Sequence, residues 1–282
     1  MKRIIIPLAI AAAIIILSAM FAGCTKKSDD TSPAPETSGQ TEETQETTYE
    51  TNPDVKNPLR IGMPNINLPP MIMREKDDNL TGFEIDIIAE AAKRLGISYE
   101  IIPIESGTER EQLEDGVIDC AWGNMMDTGR QRLFYAMTDP YITIPQVIVI
   151  YDGSKIKGRD DIQNVSAVMS TPAESLADED KIDVDFKRLS SSRDYAKSFE
   201  QLREGYSDAV ICDETLAVYM KKSDAKLIIL DEKAAEVKYS VAFSSGEDKM
   251  AAAVGKVLKD IFNEGILSEL SQKWFGQDYY ID

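Results

Sequence analysis

The chain has 282 residues, a formal net charge of −18 and an apolar fraction of 43%, enough for a sizeable core. Such acidity repels nucleic-acid phosphates and anionic lipid head groups. There is no histidine, which excludes Ser-His-Asp triads, histidine general bases and histidine-ligated metals.

Residues 1–23 open with Lys2 and Arg3, continue as a long apolar run and end at Phe21-Ala22-Gly23, just before Cys24. Small residues before a cysteine resemble a bacterial lipobox, which predicts a signal peptide over 1–23 and lipidation of Cys24. The other reading is an uncleaved membrane helix. Either places the rest outside the cytoplasmic membrane, on its outer face. From 24 to 58 the chain is rich in Thr, Ser, Glu, Gln and Pro with almost no aliphatic residues, so a disordered tether is expected.

Regular periodicity begins at Leu59, with a strand over 59–63. Apolar residues at Phe83, Ile87, Ile88, Ala91, Ala92 and Leu95 then form one helical face, stopped by Gly96. The pattern continues with a strand at 98–104, a short helix at 108–115 and a strand at 117–122. Residues 145–151 read as an apolar strand long enough to leave one lobe for another. Strands follow at 165–169, 184–189, 208–212, 227–230 and 237–243. Helices are expected near 173–178, 193–203 and 213–222, and two more, 247–263 and 266–274, close the chain. This alternation predicts an α/β fold with largely parallel strands. Cys120 and Cys212 fall at strand ends in separate parts of the chain and are expected as buried free thiols.

Six segments occur in order: Leu59 to Gly62, Thr81 to Asp86, Gly116 to Arg130, Thr138 to Tyr141, Asp208 to Asp213, and Gly265 to Gly276. As a set they resemble the family-3 extracellular solute-binding proteins, the polar amino-acid receptors of ABC importers. The resemblance implies a two-lobed periplasmic-binding-protein-like fold of type II with two hinge strands, 146–151 and 237–243. Lobe 1 would be 59–148 plus 242–282, and lobe 2 would be 149–241. It implies a monomer that binds a small amino acid or amino-acid-like zwitterion between the lobes, hands it to an ABC permease, and uses no cofactor or metal.

Residue by residue, Arg130 matches the family arginine that grips the ligand carboxylate, a task suited to a planar guanidinium. The alternative is a surface arginine paired with Asp127 or Asp139. Arg132 is the substitute, because the spacing from Arg130 to Asp139 is one residue longer than usual in the family. Asp213 matches the aspartate that binds the ammonium, and it also suits a helix N-cap. Leu68 and Ser106 stand where the family places aromatic rings. Met126 replaces a hydroxyl residue, and Asn124 a small one. In Ser170-Thr171-Pro172, Thr171 fits the family's carboxylate loop while Pro172 lacks its N–H. Both charge anchors are therefore retained in a remodelled side-chain cage.

Two other functions share this framework. A cyclohexadienyl dehydratase-like secreted enzyme would need a cleft acid such as Asp127 or Glu174. A sensing module would use the same capture chemistry without transport.

Overall fold

Helix α1, Phe83–Leu95, forms where the apolar stripe predicts, and it stops at Gly96 in the left-handed conformation. Its inward face buries Ile87, Ile88, Ala91 and Leu95, each large side chain contributing about 1.5–3 kcal/mol. The computed structural model describes residues 4–5, 49–77, 79–168, 172–173, 188–192 and 194–279. Cys24 and Thr171 therefore lie outside the described residues, as does nearly all of the expected leader and most of the tether. So does most of the helix expected at 173–178.

The strands form two main sheets. In the first, the neighbours run in the order 4–5, 99–104, 59–64, 120–121, 242–244, 135–137. Leu59–Pro64 pairs in parallel with Tyr99–Ile104 and with Cys120–Ala121. Ile4–Ile5 adds antiparallel to the edge at Glu100 and Ile101. The second sheet runs 188–192, 164–168, 209–213, 142–151, 227–239. Both sheets are mixed rather than largely parallel. The reason is that strands beside the crossovers return antiparallel: Ala209–Asp213 and Leu227–Tyr239 against Ile142–Tyr151, and Ala242–Ser244 against its neighbours.

The chain passes between the sheets twice, after Met137 and after Tyr239. The two passages are tied together. Thr138 N donates to Val241 O at 3.0 Å, and Tyr141 N donates to Tyr239 O at 3.0 Å. Val241 N donates to the Thr138 hydroxyl at 3.0 Å. Ile142–Tyr151 lies wholly in the second sheet, so the expected limit at residue 148 falls inside a strand. The strands expected at 227–230 and 237–243 are one strand, Leu227–Tyr239, with pairing irregularities between Ile229 and Ala235, followed by a separate Ala242–Ser244. Cys120 and Cys212 are buried free thiols, one in each sheet.

Helix α1 is held by its first turn. Phe83 N and Glu84 N donate to Pro70 O and Met71 O, each at 3.1 Å. Gly82 sits at φ 129° with its Cα against this loop, where an added Cβ would lie 2.4 Å from Met71 O. Gly82→Ala is therefore expected to cost about 2 kcal/mol or more, read as a lower midpoint of urea unfolding at unchanged slope.

Candidate functional site

Several buried polar side chains converge where the two crossovers meet. Glu84 lies on the apolar stripe of α1, one turn before Ile87 and Ile88, and is fully buried. The Tyr141 hydroxyl donates to its carboxylate, 2.7 and 2.9 Å from the two oxygens. Asp213 ends the strand Ala209–Asp213 and is 1% exposed. The Tyr239 hydroxyl lies 2.8 and 2.9 Å from its two oxygens, and Gln146 Nε2 also donates to it. Since Tyr141 N bonds Tyr239 O, the two carboxylates are joined through neighbouring tyrosines. Trp122 packs on Tyr141, with ring centroids 6.3 Å apart.

Strand alternation explains which side chains point inward. On the paired strands, Ile144, Gln146, Val237 and Tyr239 are buried. Thr143, Pro145, Glu236 and Lys238 line the opposite face, a groove of about 430 Å³.

Among the described residues no salt bridge reaches either acid; the Tyr141 hydroxyl donates to Glu84, and Gln146 and the Tyr239 hydroxyl donate to Asp213. Burial raises the Glu84 pKa from 4.5 to about 7, with hydrogen bonds from Tyr141 and Trp122 opposing and the Asp213 charge adding to the rise. Burial likewise raises Asp213 from 3.8 to about 6, opposed by its bonds from Gln146 and Tyr239. The two tyrosines are pushed far above their ordinary value, first by burial and then by the acids beside them. Among the described residues, Gln146 Oε1, Asn124 Oδ1 and Ser106 Oγ are buried without a hydrogen-bond partner. Such atoms are costly unless a ligand satisfies them.

The loop from Trp122 to Asp127 is clamped at both ends. Trp122 N donates to Gly62 O at 3.0 Å, and Asp127 N to Lys238 O at 2.7 Å. Asn124 is the one non-glycine residue at positive φ, 62°, among the described residues, a strained backbone of the kind found at functional sites. Met126 is half-buried and bridges Tyr239. Tyr239 therefore brings Met126 and Asp213 to one place.

The other expected residues are spread more widely. Leu68 is 1% exposed and closes a tight turn with Ile72, at 2.9 and 2.8 Å. Arg130 is exposed and precedes the 3-10 turn Gln131–Leu133. Arg132 is held by Asp127, at 2.7 and 2.5 Å, and by Thr138 O at 3.0 Å. Asp213 occupies the N-cap position of the helix Glu214–Ser223, but its carboxylate makes no capping bond. That side chain faces the buried cluster instead. Glu84, Trp122, Tyr141, Gln146 and Tyr239 were not assigned from the sequence. The available signals were an acid on an apolar helical stripe and a glutamine inside an apolar strand. Among the described residues no group of three or more Cys, Asp or Glu could hold a metal ion.

Known proteins match this architecture. The model of the bacterial extracellular solute-binding proteins, family 3, matches residues 59–277. The L-cystine-binding protein TcyJ of Escherichia coli K12 is 26% identical over 215 residues, 74% of this chain and 80% of TcyJ. The glutamine-binding protein GlnH of Bacillus subtilis is 22% identical over 71% of this chain and 74% of its own. A crystal structure of the substrate-binding protein of an amino acid ABC transporter superposes with a TM-score of 0.68 at 26% identity, covering 78% of this chain and 99% of that one. An ancestral arginine-binding protein bound to arginine gives a TM-score of 0.68 at 25% identity, covering 79% of this chain and all of the other. A two-lobed architecture, two tied crossovers and a family match across nearly the whole described unit lead to one conclusion: the chain belongs to the family 3 bacterial extracellular solute-binding proteins.

Proposed function

We propose that the protein is the extracytoplasmic substrate-binding lipoprotein of an ABC importer, and that it captures a small amino acid or amino-acid-like zwitterion between two lobes. One observation carries this most directly. A carboxylate, Asp213, is buried at the crossover, where among the described residues its partners are the neutral Gln146 and Tyr239 and the Gln146 Oε1 acceptor has none. A buried charge needs an opposite charge, and a ligand ammonium supplies it.

In this reading the first lobe carries the sheet of 59–64 and the second the sheet of 142–151. The passages at 138–141 and 240–241 act as hinges. Arg130, the residue that matches the family arginine, takes the ligand carboxylate when the lobes close, while Arg132 is bonded to Asp127. Thr171, Asn124, Met126, Leu68 and Ser106 shape the remaining walls. Signal cleavage before Cys24 removes Ile4–Ile5, and the lipid anchor keeps the protein near its permease at high effective concentration.

Titration calorimetry against the twenty amino acids and their common derivatives tests the reading. Saturable binding of at least one, without turnover, is expected; silence across the set removes it. Labelling with radioactive palmitate, lost in Cys24→Ala, checks the anchor.

The enzymatic alternative has one specific observation behind it. Glu84, with its pKa near 7, has the protonation range of a general acid. A structural neighbour at 25% identity is an ancestral amino-acid-binding protein described as a precursor of cyclohexadienyl dehydratase. Product formed from a cyclohexadienyl acid, and lost in Glu84→Gln, would favour it.

A further inference from the structure

Arg130 opens an exposed turn, the kind of segment that holds a side chain poorly by itself. Its neighbours correct this. Asp127 stands three residues before it and Arg132 two after. Their side chains meet as a two-pronged pair, Arg132 Nε to Asp127 Oδ1 at 2.7 Å and Nη2 to Oδ2 at 2.5 Å. Thr128 tightens the same segment: its carbonyl accepts from Arg132 N at 3.0 Å and its hydroxyl from Gln131 N at 3.1 Å.

The pair also reaches outward, to both passages between the sheets. Arg132 Nη2 donates to Thr138 O at 3.0 Å, where the first passage begins. Ser240, fully buried in the second, donates its hydroxyl to Asp127 Oδ2 at 2.8 Å and its N–H to Met125 O at 3.0 Å. Asp127 N donates to Lys238 O at 2.7 Å, just before that passage. An exposed ion pair contributes little and fixes little. This one is forked, its carboxylate side chain is only 8% exposed, and its remaining bonds end on backbone and a buried hydroxyl, so its geometry is defined. Closing the turn needs only the Thr128 bonds; those to Thr138 and Ser240 serve something beyond it.

We propose that Asp127 and Arg132 are positioning residues that hold the turn carrying Arg130 against both inter-lobe passages, so that the arginine is ordered relative to the hinge before a solute arrives. This deepens the importer reading and rests on it. The gain is preorganisation, since ordering completed on folding is not subtracted from binding. It depends on shape more than on charge. The planar guanidinium makes two parallel bonds to Asp127 and keeps a donor for Thr138, which an ammonium cannot reproduce.

The test pairs two measurements on wild type, Arg132→Lys and Asp127→Asn. The first is titration calorimetry with each of the twenty amino acids and their common derivatives. Arg132→Lys keeps the charge and loses the fork, and is expected to weaken binding by about tenfold. Asp127→Asn is expected to act in the same direction. The second is nitrogen-15 relaxation of the solute-free proteins, read at the Arg130 amide and side-chain Nε. Both sites are expected to lose order in the variants while the strand Ala242–Ser244 keeps it, a signature that a role in stability alone would not produce. Urea unfolding confirms that each variant is folded, and either one suffices for the comparison. Variants that bind as tightly as wild type, or an Arg130 as ordered as before, would overturn the positioning role and leave the importer reading in place. If wild type binds nothing in the set, the importer reading falls and this role falls with it.

Discussion

Asp213→Asn is expected to weaken ligand binding by about 100-fold or more while leaving the fold intact. Asparagine keeps the size of the side chain and can still accept from Gln146 or Tyr239, the two groups that now donate to Asp213. What it removes is the charge. Losing one member of a buried charge-assisted pair typically costs about 2–5 kcal/mol, and about 2.7 kcal/mol is already 100-fold. The free protein should respond in the opposite direction. Burial holds the Asp213 carboxyl up at about 6, so the ionised form strains the empty fold at pH 8. A neutral residue relieves that strain, and the unfolding midpoint should rise as affinity falls. Calorimetry and urea unfolding on the same variant read both effects. Equal affinity for wild type and Asp213→Asn would place the ligand elsewhere. A variant that is both weaker in binding and less stable would mark Asp213 as structural.

Physical periodicity decided which parts of the fold could be read in the sequence. Helix α1 was legible to the residue because a regular apolar stripe runs into Gly96, which takes the left-handed conformation that ends a helix. The strands Cys120–Ala121 and Tyr135–Met137 were not, or were placed too long. At two and three residues they carry no period of their own and exist through pairing with Ala242–Ser244. Leu227–Tyr239 was split in two because its irregular middle breaks the alternation between Ile229 and Ala235. The site divides along the same line. Asp213 stood out as an acid at the end of an apolar strand. Its partners did not, because Gln146 sits in a run of aliphatic residues and Tyr239 looks like core in a strand. Their roles come from a contact 67 positions away in sequence for Gln146 and 26 away for Tyr239. Glu84 was readable in principle, since it shares the buried stripe with Phe83, Ile87 and Ile88.

That same acid sets the second large effect: the empty protein is expected to lose stability as pH rises from about 4.5 to 8. Both buried carboxyls have folded pKa values above their ordinary ones, Glu84 at about 7 against 4.5 and Asp213 at about 6 against 3.8. A raised carboxyl pKa means that the folded chain binds protons more tightly than the unfolded chain. The resulting stability is fully present below the unfolded values and disappears as pH passes through the folded ones. Each shift taken alone corresponds to about 3 kcal/mol. Because the two acids repel each other, their sum lies between about 3 and 6 kcal/mol. Other groups act outside this window. Asp119, bonded by Arg60 and Lys56, has a lowered pKa, so its contribution fades only in stronger acid. Urea unfolding at half-unit steps from pH 4.5 to 8 checks the sign. Wild type should fall across the range, Glu84→Gln should flatten the upper part near 7, and Asp213→Asn the part near 6. A saturating zwitterionic ligand should also flatten the curve, because its ammonium replaces the missing protons with its own charge. A wild-type curve that rises with pH would mean that the two acids are not buried in the empty protein, and the electrostatic argument for a ligand cation would go with it.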